Sequence, residues 1–356
     1  MQILEVVAVS VFCSYFSIIA SLFSLIARSL SSQNWGGRVY VFIALAFASF
    51  VHTWFCKFPF AFGGIFTDYE QSARATISTG LTVERISQWL LNTSLYKQAW
   101  AHVCFGKANW WWSQQLCLFT VGTWTIFLSD EGQHHHIKFI WAYMLLRQFV
   151  AISVASNLFY LALILAPCPP PPSSSHGIFS LRAPVALWLP VLLSLGTVAT
   201  SPFTTECSFL PNLLLMHTFI VIPLLVPDRL FPLVQSSAET KSRIGISLKT
   251  LYVVVFGTAL VLHVHATGQA ADPPVSVRDL TLKAWDVLHS HPAQSSIGWD
   301  VIWTSISFVV WLVLHPELQP RVLPSSSTIK GRFLTAMYLL MATPLLSVRV
   351  LAPHVF

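Results

Sequence analysis

The stretch VYVFIALAFASF, from Val39 to Phe50, is an apolar run without a charged residue. Similar runs occupy Leu116–Leu128, Ala183–Leu195 and Tyr252–Val264. Of the 356 residues, 54% are hydrophobic and only 10% are charged. A water-soluble protein of this size covers its surface with more charge than that, so the chain is predicted to lie in a membrane.

The apolar runs predict an all-α fold, a polytopic transmembrane bundle of eight to nine helices that forms one domain over residues 1–356. Each crossing needs about 20 apolar residues. The predicted spans are 3–27, 39–56, 109–128, 139–166, 183–200, 209–226, 249–266, 298–315 and 333–351.

The segment from Leu81 to Phe105 has a different pattern. Its apolar residues recur at helical spacing, whereas Glu84, Arg85 and Gln88 occupy the other faces. This pattern predicts one amphipathic helix on the membrane surface. Such a helix either connects two spans or covers a cavity that opens to the membrane.

The distribution of basic residues predicts an orientation. If all nine spans cross, the even-numbered loops carry 13 Lys and Arg residues and the odd-numbered loops carry 5. The positive-inside rule then predicts a cytosolic N-terminus. The glycosylation sequon Asn92-Thr93-Ser94 would also lie in the cytosol and stay unmodified.

Several classes of function are not favoured. The net charge of +6 is spread over many loops without a basic patch, so no nucleic-acid partner is expected. The six cysteines form no CxxC pair and no spacing typical of metal ligands. The chain also lacks an aspartate cluster for diphosphate ionisation, a P-loop and a GxSxG motif, so we expect neither a metal nor another cofactor.

Two acidic residues, Asp130 and Glu131, end the third predicted span. Their side chains point about 100° apart on a helix, so one can face the bundle while the other faces water. Burial disfavours the charged form of a carboxyl group, and a carboxyl that keeps its proton can act as a Brønsted acid. The alternative is an ordinary acidic helix end at the membrane surface.

A third acid, Asp300, opens the eighth predicted span in a tryptophan-rich context. Trp299 and Trp303 are close in sequence, and Trp311 lies further along the same helix face. A carboxyl group beside indole rings suits a site that handles a carbocation, because the π-faces attract positive charge. The alternative is an N-cap followed by a tryptophan belt at the membrane surface.

Polar residues inside other spans are further candidates for substrate contacts. They are Gln114, Gln115 and Trp124 in span three, and Arg147 and Asn157 in span four. Arg147 is expected to pair with Asp130 or Glu131, or to reach the membrane surface. The Trp110-Trp111-Trp112 run is interpreted as an interfacial belt.

Two parts of the chain resemble a known family. They are Asn92–Leu165, which contains WWWSQQLCLFTVGTWTIFLSDEG, and the later stretch GWDVIWTSISFVVW. Both resemble fungal integral-membrane terpene cyclases of meroterpenoid pathways. Those cyclases have fewer spans, so the resemblance transfers only Glu131 and Asp300 as candidate acids.

The resemblance implies a reaction and a location. Enzymes of this kind protonate an epoxide or terminal olefin on a prenylated, usually farnesylated, aromatic or polyketide-derived substrate. The resulting cation then cyclises without a metal, in the endoplasmic reticulum. Two alternatives stay open: an acyltransferase that uses a histidine such as His102 or His217, and a transporter or receptor-like protein.

The missing aspartate cluster generates a prediction about metal ions. Membranes that contain the protein should convert a prenylated substrate equally well before and after treatment with EDTA. A loss of about tenfold or more that magnesium restores would contradict this expectation, because it would indicate catalysis by a bound metal ion.

Overall fold

The computed structural model describes residues 3–30, 36–60, 66, 69, 82–93, 95–166, 182–225, 245–271 and 276–314. The predicted ninth span, 333–351, lies outside the described residues. The all-α class is confirmed, because nearly all described residues are helical. Six helices are long and apolar enough to cross a membrane, so the chain is an integral membrane protein with a lipid bilayer around it.

Thirteen α-helices are described. They are α1 (Ile3–Ser29), α2 (Gly37–Phe60), α3 (Thr82–Asn92), α4 (Leu95–Cys104), α5 (Lys107–Phe119), α6 (Thr125–His134), α7 (Ile140–Phe149), α8 (Ile152–Leu165), α9 (Val185–Thr200), α10 (Glu206–Leu225), α11 (Leu248–Ala270), α12 (Val277–Ser290) and α13 (Pro292–Leu314). A π-helical turn joins α5 to α6, and a 3-10 turn joins α9 to α10. Two short strands, β1 (Arg182–Ala183) and β2 (Ile246–Ser247), pair antiparallel.

The predicted amphipathic helix is two helices. Helix α3 ends at Asn92 and α4 begins at Leu95, so the single helix expected over Leu81–Phe105 is corrected. The break falls in the Asn-Thr-Ser stretch, whose side chains compete for backbone hydrogen bonds and favour helix ends. Trp89 of α3 is fully buried, and α3 packs against α1.

Contacts between helix termini define the two ends of the bundle. Trp111, at the start of α5, donates its Nε1–H to Oγ1 of Thr267, near the end of α11, at 3.0 Å. At the other end, the β1–β2 pair holds the starts of α9 and α11 together. We call the first end the amphipathic face, because the connections that contain α3, α4 and α12 lie there. We call the second end the strand face.

The helices α1, α2 and α13 can be placed between these faces. Arg38, near the start of α2, donates to the Leu314 carbonyl at the end of α13 at 3.4 Å. Further along, Ser296 donates to the Thr53 carbonyl at 3.2 Å. Trp112 ties α12 to the start of α5 by donating to the Ala284 carbonyl at 3.1 Å. Therefore α13 runs from the amphipathic face to the strand face, and α2 runs in the opposite direction.

The predicted fourth span does not cross the bundle. Val150 (φ −113°, ψ −84°) and Ala151 (φ −166°, ψ 149°) interrupt it between α7 and α8. The rings of Tyr143 and Phe159 then lie only 5.3 Å apart. Along a straight helix, two residues 16 positions apart would be separated by about 24 Å. The chain therefore folds back on itself at residues 150 and 151.

The second arm of this fold returns to the face from which the first arm entered. At its start, α8 lies beside Asp300 of α13, and further along Tyr160 stacks on Trp311 with ring centroids 4.7 Å apart. Helix α8 thus runs parallel to α13, towards the strand face. Helices α7 and α8 form a re-entrant hairpin over Ile140–Leu165, and the prediction of a crossing span at 139–166 was wrong.

Aromatic rings fill the space between the hairpin and its neighbours. Phe159 lies 5.6 Å from Trp124 and 5.5 Å from Phe127, measured between ring centroids. Tyr160 continues the group through its stack on Trp311. We call these five residues the aromatic cluster. It lies between the hairpin tip and the strand face.

The re-entrant hairpin can be tested by cross-linking. Cysteines introduced through Tyr143→Cys and Phe159→Cys, with the six native cysteines replaced, should be joined by a short bifunctional thiol reagent. The matched control pair is Val253→Cys and Gln269→Cys, because these positions are also 16 residues apart but lie in the continuous helix α11. Mass spectrometry should find the first cross-link and not the second. Equal behaviour of the two pairs would contradict the hairpin.

Candidate functional site

A buried carboxylate holds the tip of the re-entrant hairpin. Asp300 lies in the third turn of α13 and is only 6% exposed. Its Oδ2 accepts the Ile152 backbone N–H at 3.0 Å, and its Oδ1 accepts the Ser153 N–H at 2.9 Å. The residue before α8, Ala151, has no side chain that can cap the helix. Asp300 therefore caps α8 from across the bundle.

This position stabilises negative charge on Asp300. Hydrogen bonds from backbone N–H groups favour a carboxylate, and the N-terminus of a helix carries partial positive charge. A carboxylate held in this way is a good counter-charge for a cation. It is a poor proton donor for as long as both backbone hydrogen bonds are in place.

The other arm of the hairpin brings a half-buried cation close to the tip. Nη1 of Arg147, in the last turn of α7, lies 3.4 Å from Nε2 of His217 on α10. His217 Nδ1 lies 2.8 Å from the Leu213 carbonyl, which assigns the ring proton to Nδ1 and makes Nε2 an acceptor for Arg147. Gln148 also donates to the His217 carbonyl at 3.3 Å. Both nitrogens of His217 are therefore occupied, which disfavours its use as the base of an acyltransferase.

The predicted ion pair of Arg147 with Asp130 or Glu131 is not formed. The fold-back carries Arg147 into the interior of the bundle, whereas both acids lie at the end of α6 on the strand face. The carboxylate that interacts electrostatically with Arg147 is Asp300. Opposite charges from two helices thus influence each other near the hairpin tip, although the hydrogen-bond contact of Arg147 is with His217.

Polar groups continue from Asp300 along the contact between α8 and α13. The atoms in question are Ser153 Oγ, Ser156 Oγ, Asn157 Oδ1, Thr304 Oγ1 and Ser307 Oγ, all buried and none with a hydrogen-bond partner among the described residues. The Asn157 amide itself donates to the Ser153 carbonyl at 2.9 Å. We call this group the polar seam. Buried polar groups generally need partners, so the seam can orient an oxygen-bearing ligand.

The tryptophans expected to surround Asp300 fall into two groups. Trp299 lies 4.2 Å from His52 of α2 between ring centroids, and Trp303 donates its indole N–H to His52 Nδ1 at 3.1 Å. Trp311 instead lies on the α8 side with Asp300 and stacks on Tyr160. Trp311 therefore shares a face of α13 with Asp300, whereas Trp299 and Trp303 lie on the side that faces α2.

The two acids at the end of α6 have different surroundings. Glu131 Oε2 lies 3.4 Å from His135 Nε2 and its side chain is 30% exposed. Asp130 is half-buried and has no hydrogen bond or ion pair among the described residues. Both acids influence Tyr252 of α11 electrostatically. The structure therefore brings Asp130 and Glu131 together, but not beside Asp300.

The remaining candidates lie in the interrupted helix formed by α5, the π-helical turn and α6. The Gln114 amide donates to the Leu262 carbonyl at 3.1 Å, and the Gln115 amide donates to the Trp111 carbonyl at 3.2 Å. Neither side-chain oxygen has a partner among the described residues. Trp124 ends the π-helical turn and faces the hairpin. Such turns are frequent at functional sites.

The interpretation of the triple-tryptophan run as an interfacial belt is corrected for two of its residues. Trp110 and Trp112 are 5% and 7% exposed, so they are core residues and not an interfacial belt. The Trp112 indole can pack between the helices because its N–H donates a hydrogen bond to the Ala284 carbonyl of α12. Among aromatic residues, tryptophan tolerates such burial when its one donor is satisfied.

A second pair of polar rings lies at the amphipathic face. His102 stacks on His291 with ring centroids 4.0 Å apart. Burial lowers the pKa of His291, and the nearby His102 lowers it further. The neutral form of the His291 ring is therefore favoured. Both rings lie away from the hairpin tip and are not assigned to the candidate site.

Sequence reasoning did not find the hairpin tip or the contact between Arg147 and His217. The sequence nevertheless contains a signal for the hairpin tip. Arg147 and Gln148 interrupt an apolar run, and Ser153 and Asn157 follow them. Among the described residues, no group of three or more His, Cys, Asp and Glu side chains could hold a metal ion.

Comparisons with known proteins leave the site to be interpreted from its own chemistry. No protein family, curated protein or solved structure matches the chain.

The capping role of Asp300 predicts a stability change. Asp300→Ala leaves two buried N–H groups without an acceptor, which costs about 1–3 kcal/mol for each unsatisfied group. Asp300→Asn keeps one acceptor oxygen and should lose less, because asparagine also caps helices well. Thermal unfolding in detergent measures both. Asp286→Ala is the control, because Asp286 is exposed on α12. Equal melting temperatures for Asp300→Ala and the control would contradict the capping role.

Proposed function

We propose that this protein is a membrane-embedded terpene cyclase. Its substrate would be a prenylated, for example farnesylated, aromatic or polyketide-derived compound that carries a terminal epoxide or olefin. The observation that carries the proposal is the buried Asp300 carboxylate at the tip of a re-entrant hairpin, with hydroxyl and amide groups on one side and stacked aromatic rings beyond it. An apolar bundle around such a site suits a lipid-like substrate.

Asp300 would act after the cation has formed. Its carboxylate is fixed by two backbone N–H groups, so it can stabilise positive charge without rearranging. It can also accept the proton that the cyclised cation loses at the end of the reaction. The hydroxyls of Ser153 and Thr304 in the polar seam would orient the oxygen atoms of the substrate head group.

Asp130 is the proposed initiating acid. Asp130 is half-buried, and the side chain of its neighbour Glu131 lies against His135. Its proton would pass to the epoxide oxygen, which breaks a C–O bond and leaves a carbocation, or to the olefin, which forms a C–H bond and a carbocation. The electrons of the next double bond then close each ring, and loss of one proton restores neutrality. Burial would favour the protonated form of Asp130, and repulsion from the like charge of Glu131 would add to this.

The aromatic cluster would stabilise the cation between these two acids. The cluster runs from Trp124 and Phe127 on the interrupted helix to Trp311 on α13. A cation over an aromatic face gains about 0.5–2 kcal/mol. Trp299 and Trp303 with His52, and Gln114 and Gln115, are proposed as secondary substrate contacts.

We further propose a span count and a location. The six continuous spans, the interrupted helix α5–α6 and the predicted span 333–351 would give eight crossings, with the re-entrant hairpin as an additional element. The amphipathic helices α3 and α4 would lie on the membrane surface. The endoplasmic reticulum is the proposed membrane, in keeping with the resemblance to fungal cyclases.

Transport is a second candidate function, and the hairpin itself favours it. Broken helices that end inside a membrane protein often form ion or substrate sites, because their free backbone groups can bind a ligand. In this chain the free N–H groups of α8 already bind Asp300. Chemical conversion of the substrate by purified membranes distinguishes the two functions, because a transporter moves its substrate unchanged.

Replacing Asp130 and replacing Asp300 should affect substrate consumption and product pattern differently. Asp130→Asn should lower the rate of substrate consumption by about 10²–10⁴-fold, because the amide cannot deliver a comparable proton. Asp300→Asn should still consume substrate but release prematurely quenched products, such as hydrated chains with fewer rings. Liquid chromatography with mass spectrometry on membranes supplied with the epoxide, without CoA, measures both.

The controls are chosen to separate chemistry from folding. Glu131→Gln tests whether the neighbouring carboxylate is required, and Asp286→Asn removes an exposed carboxylate from α12. Expression and melting temperature should be recorded for every variant. If both Asp130→Asn and Asp300→Asn give the normal product at the normal rate, the proposed chemistry is wrong.

A further inference from the structure

The re-entrant hairpin changes which connections share a side of the membrane. Because α7 and α8 enter and leave at the strand face, every later helix runs in the direction opposite to the one expected from nine crossing spans. The connections from α1 to α2, from α6 to α7, and the β1–β2 pair all lie at the strand face. The long connection from α2 to α5 and the one from α11 to α13 lie at the amphipathic face.

The basic residues can be counted again on this arrangement. Eight basic residues before α13 belong, by sequence, to connections whose helix ends lie at the strand face, or to those helix ends: Arg28, Arg38, Lys138, Arg182, Arg229, Lys241, Arg243 and Lys249. Arg321, Lys330 and Arg332 follow the end of α13 at this face in the sequence and bring the sum to eleven. The amphipathic face receives seven: Lys57, Arg74, Arg85, Lys97, Lys107, Arg278 and Lys283.

The distribution within the loops strengthens the difference. Of the seven basic residues of the amphipathic face, Lys57 and Lys107 lie at the ends of α2 and α5, and three more belong to the long connection between these two helices. The residues of the strand face are divided among several short connections next to helix ends. Basic residues close to membrane helices in short loops determine orientation most strongly. The count therefore favours a cytosolic strand face, the reverse of the orientation predicted from nine spans.

We infer that the amphipathic face is lumenal and that Asn92 carries an N-linked glycan. Asn92 belongs to the sequon Asn92-Thr93-Ser94, and this is the one Asn-x-Ser/Thr triplet in the sequence. Its side chain is exposed at the last residue of α3, where Nδ2 contacts the Tyr69 hydroxyl at 2.7 Å. A helix end on the surface gives a glycosylating enzyme access to this amide.

The inference rests on the proposed membrane of the secretory pathway and is independent of the cyclase chemistry. It also supplies a reason for the polar surface of the connection that contains α3 and α4. A glycan at Asn92 would hold this segment at the aqueous boundary. The hairpin opening, the acids Asp130 and Glu131 and the β1–β2 pair would then face the cytosol.

A glycosylation assay in a eukaryotic host tests the inference. The full chain should migrate as a single shifted band that an endoglycosidase returns to the mobility of Asn92→Gln. Ser94→Ala should remove the shift as well, and it leaves the Asn92 side chain in place. Ser94→Thr should keep it.

A sequon on the opposite face provides the matched control. In the Asn92→Gln background, Val234→Asn creates an Asn-Gln-Ser triplet in the connection between α10 and α11. This variant should remain unmodified, because both helix termini that the connection joins lie at the strand face. Modification of the Val234→Asn variant would overturn the orientation, and an unmodified wild-type chain would overturn the assignment of Asn92. Cyclase activity plays no part in either result.

Discussion

The hydrogen bonds from the start of α8 to Asp300 are the constraint on which the rest of the bundle depends. A helix that begins inside a membrane protein presents unpaired N–H groups where no water can reach them, and each unsatisfied group is costly. The carboxylate of Asp300 satisfies two of them. With that cap in place, the chain can reverse direction in the interior. The reversal then fixes the face on which every later helix begins.

The same interaction determines where chemistry is possible. The start of α8 and the positive charge of Arg147 both favour a charged Asp300 in the apolar bundle. A buried carboxylate without such compensation would take up a proton or draw in water. The same stabilisation limits the role of Asp300, because a group that is held as a carboxylate has no proton to donate. This is why the proposed reaction assigns the initial proton to Asp130, which lacks these partners, and assigns Asp300 to the later cation.

Amino-acid patterns predicted the long helices well, because continuous apolar runs such as Tyr252–Val264 have no other stable arrangement in a membrane. They also pointed to Asp300, Arg147 and Asn157, because polar groups in apolar runs are rare. They did not predict the hairpin, since the break at Val150 and Ala151 contains neither glycine nor proline, and Arg147 was interpreted as one half of an ion pair within a crossing helix. The cap that makes the break possible is about 150 residues away in the sequence, and local patterns carry no information about such a partner.

The orientation depends on the same element. A crossing at 139–166 and a re-entrant hairpin there place every later loop on opposite sides, so the basic residues on each face add up differently in the two cases. The grouping of the tryptophans also depends on the tertiary structure. Trp299 and Trp303 were grouped with Asp300 by sequence distance, but packing against α2 gives them His52 as a partner. Which face of a helix meets which neighbour depends on the tertiary arrangement.

The distance between Phe139 and Ala166 is the most direct measure of this account. These residues flank the hairpin, just before α7 and just after α8. Spin labels on cysteines at the two positions, read by pulsed dipolar spectroscopy in nanodiscs, should lie about 10–25 Å apart, because packed helices lie about 8–10 Å apart and the label linkers add to this. A single crossing helix of the same 27-residue separation would place them about 40 Å apart. A distribution centred near the longer distance would contradict the re-entrant hairpin, and with it the cap, the site and the orientation.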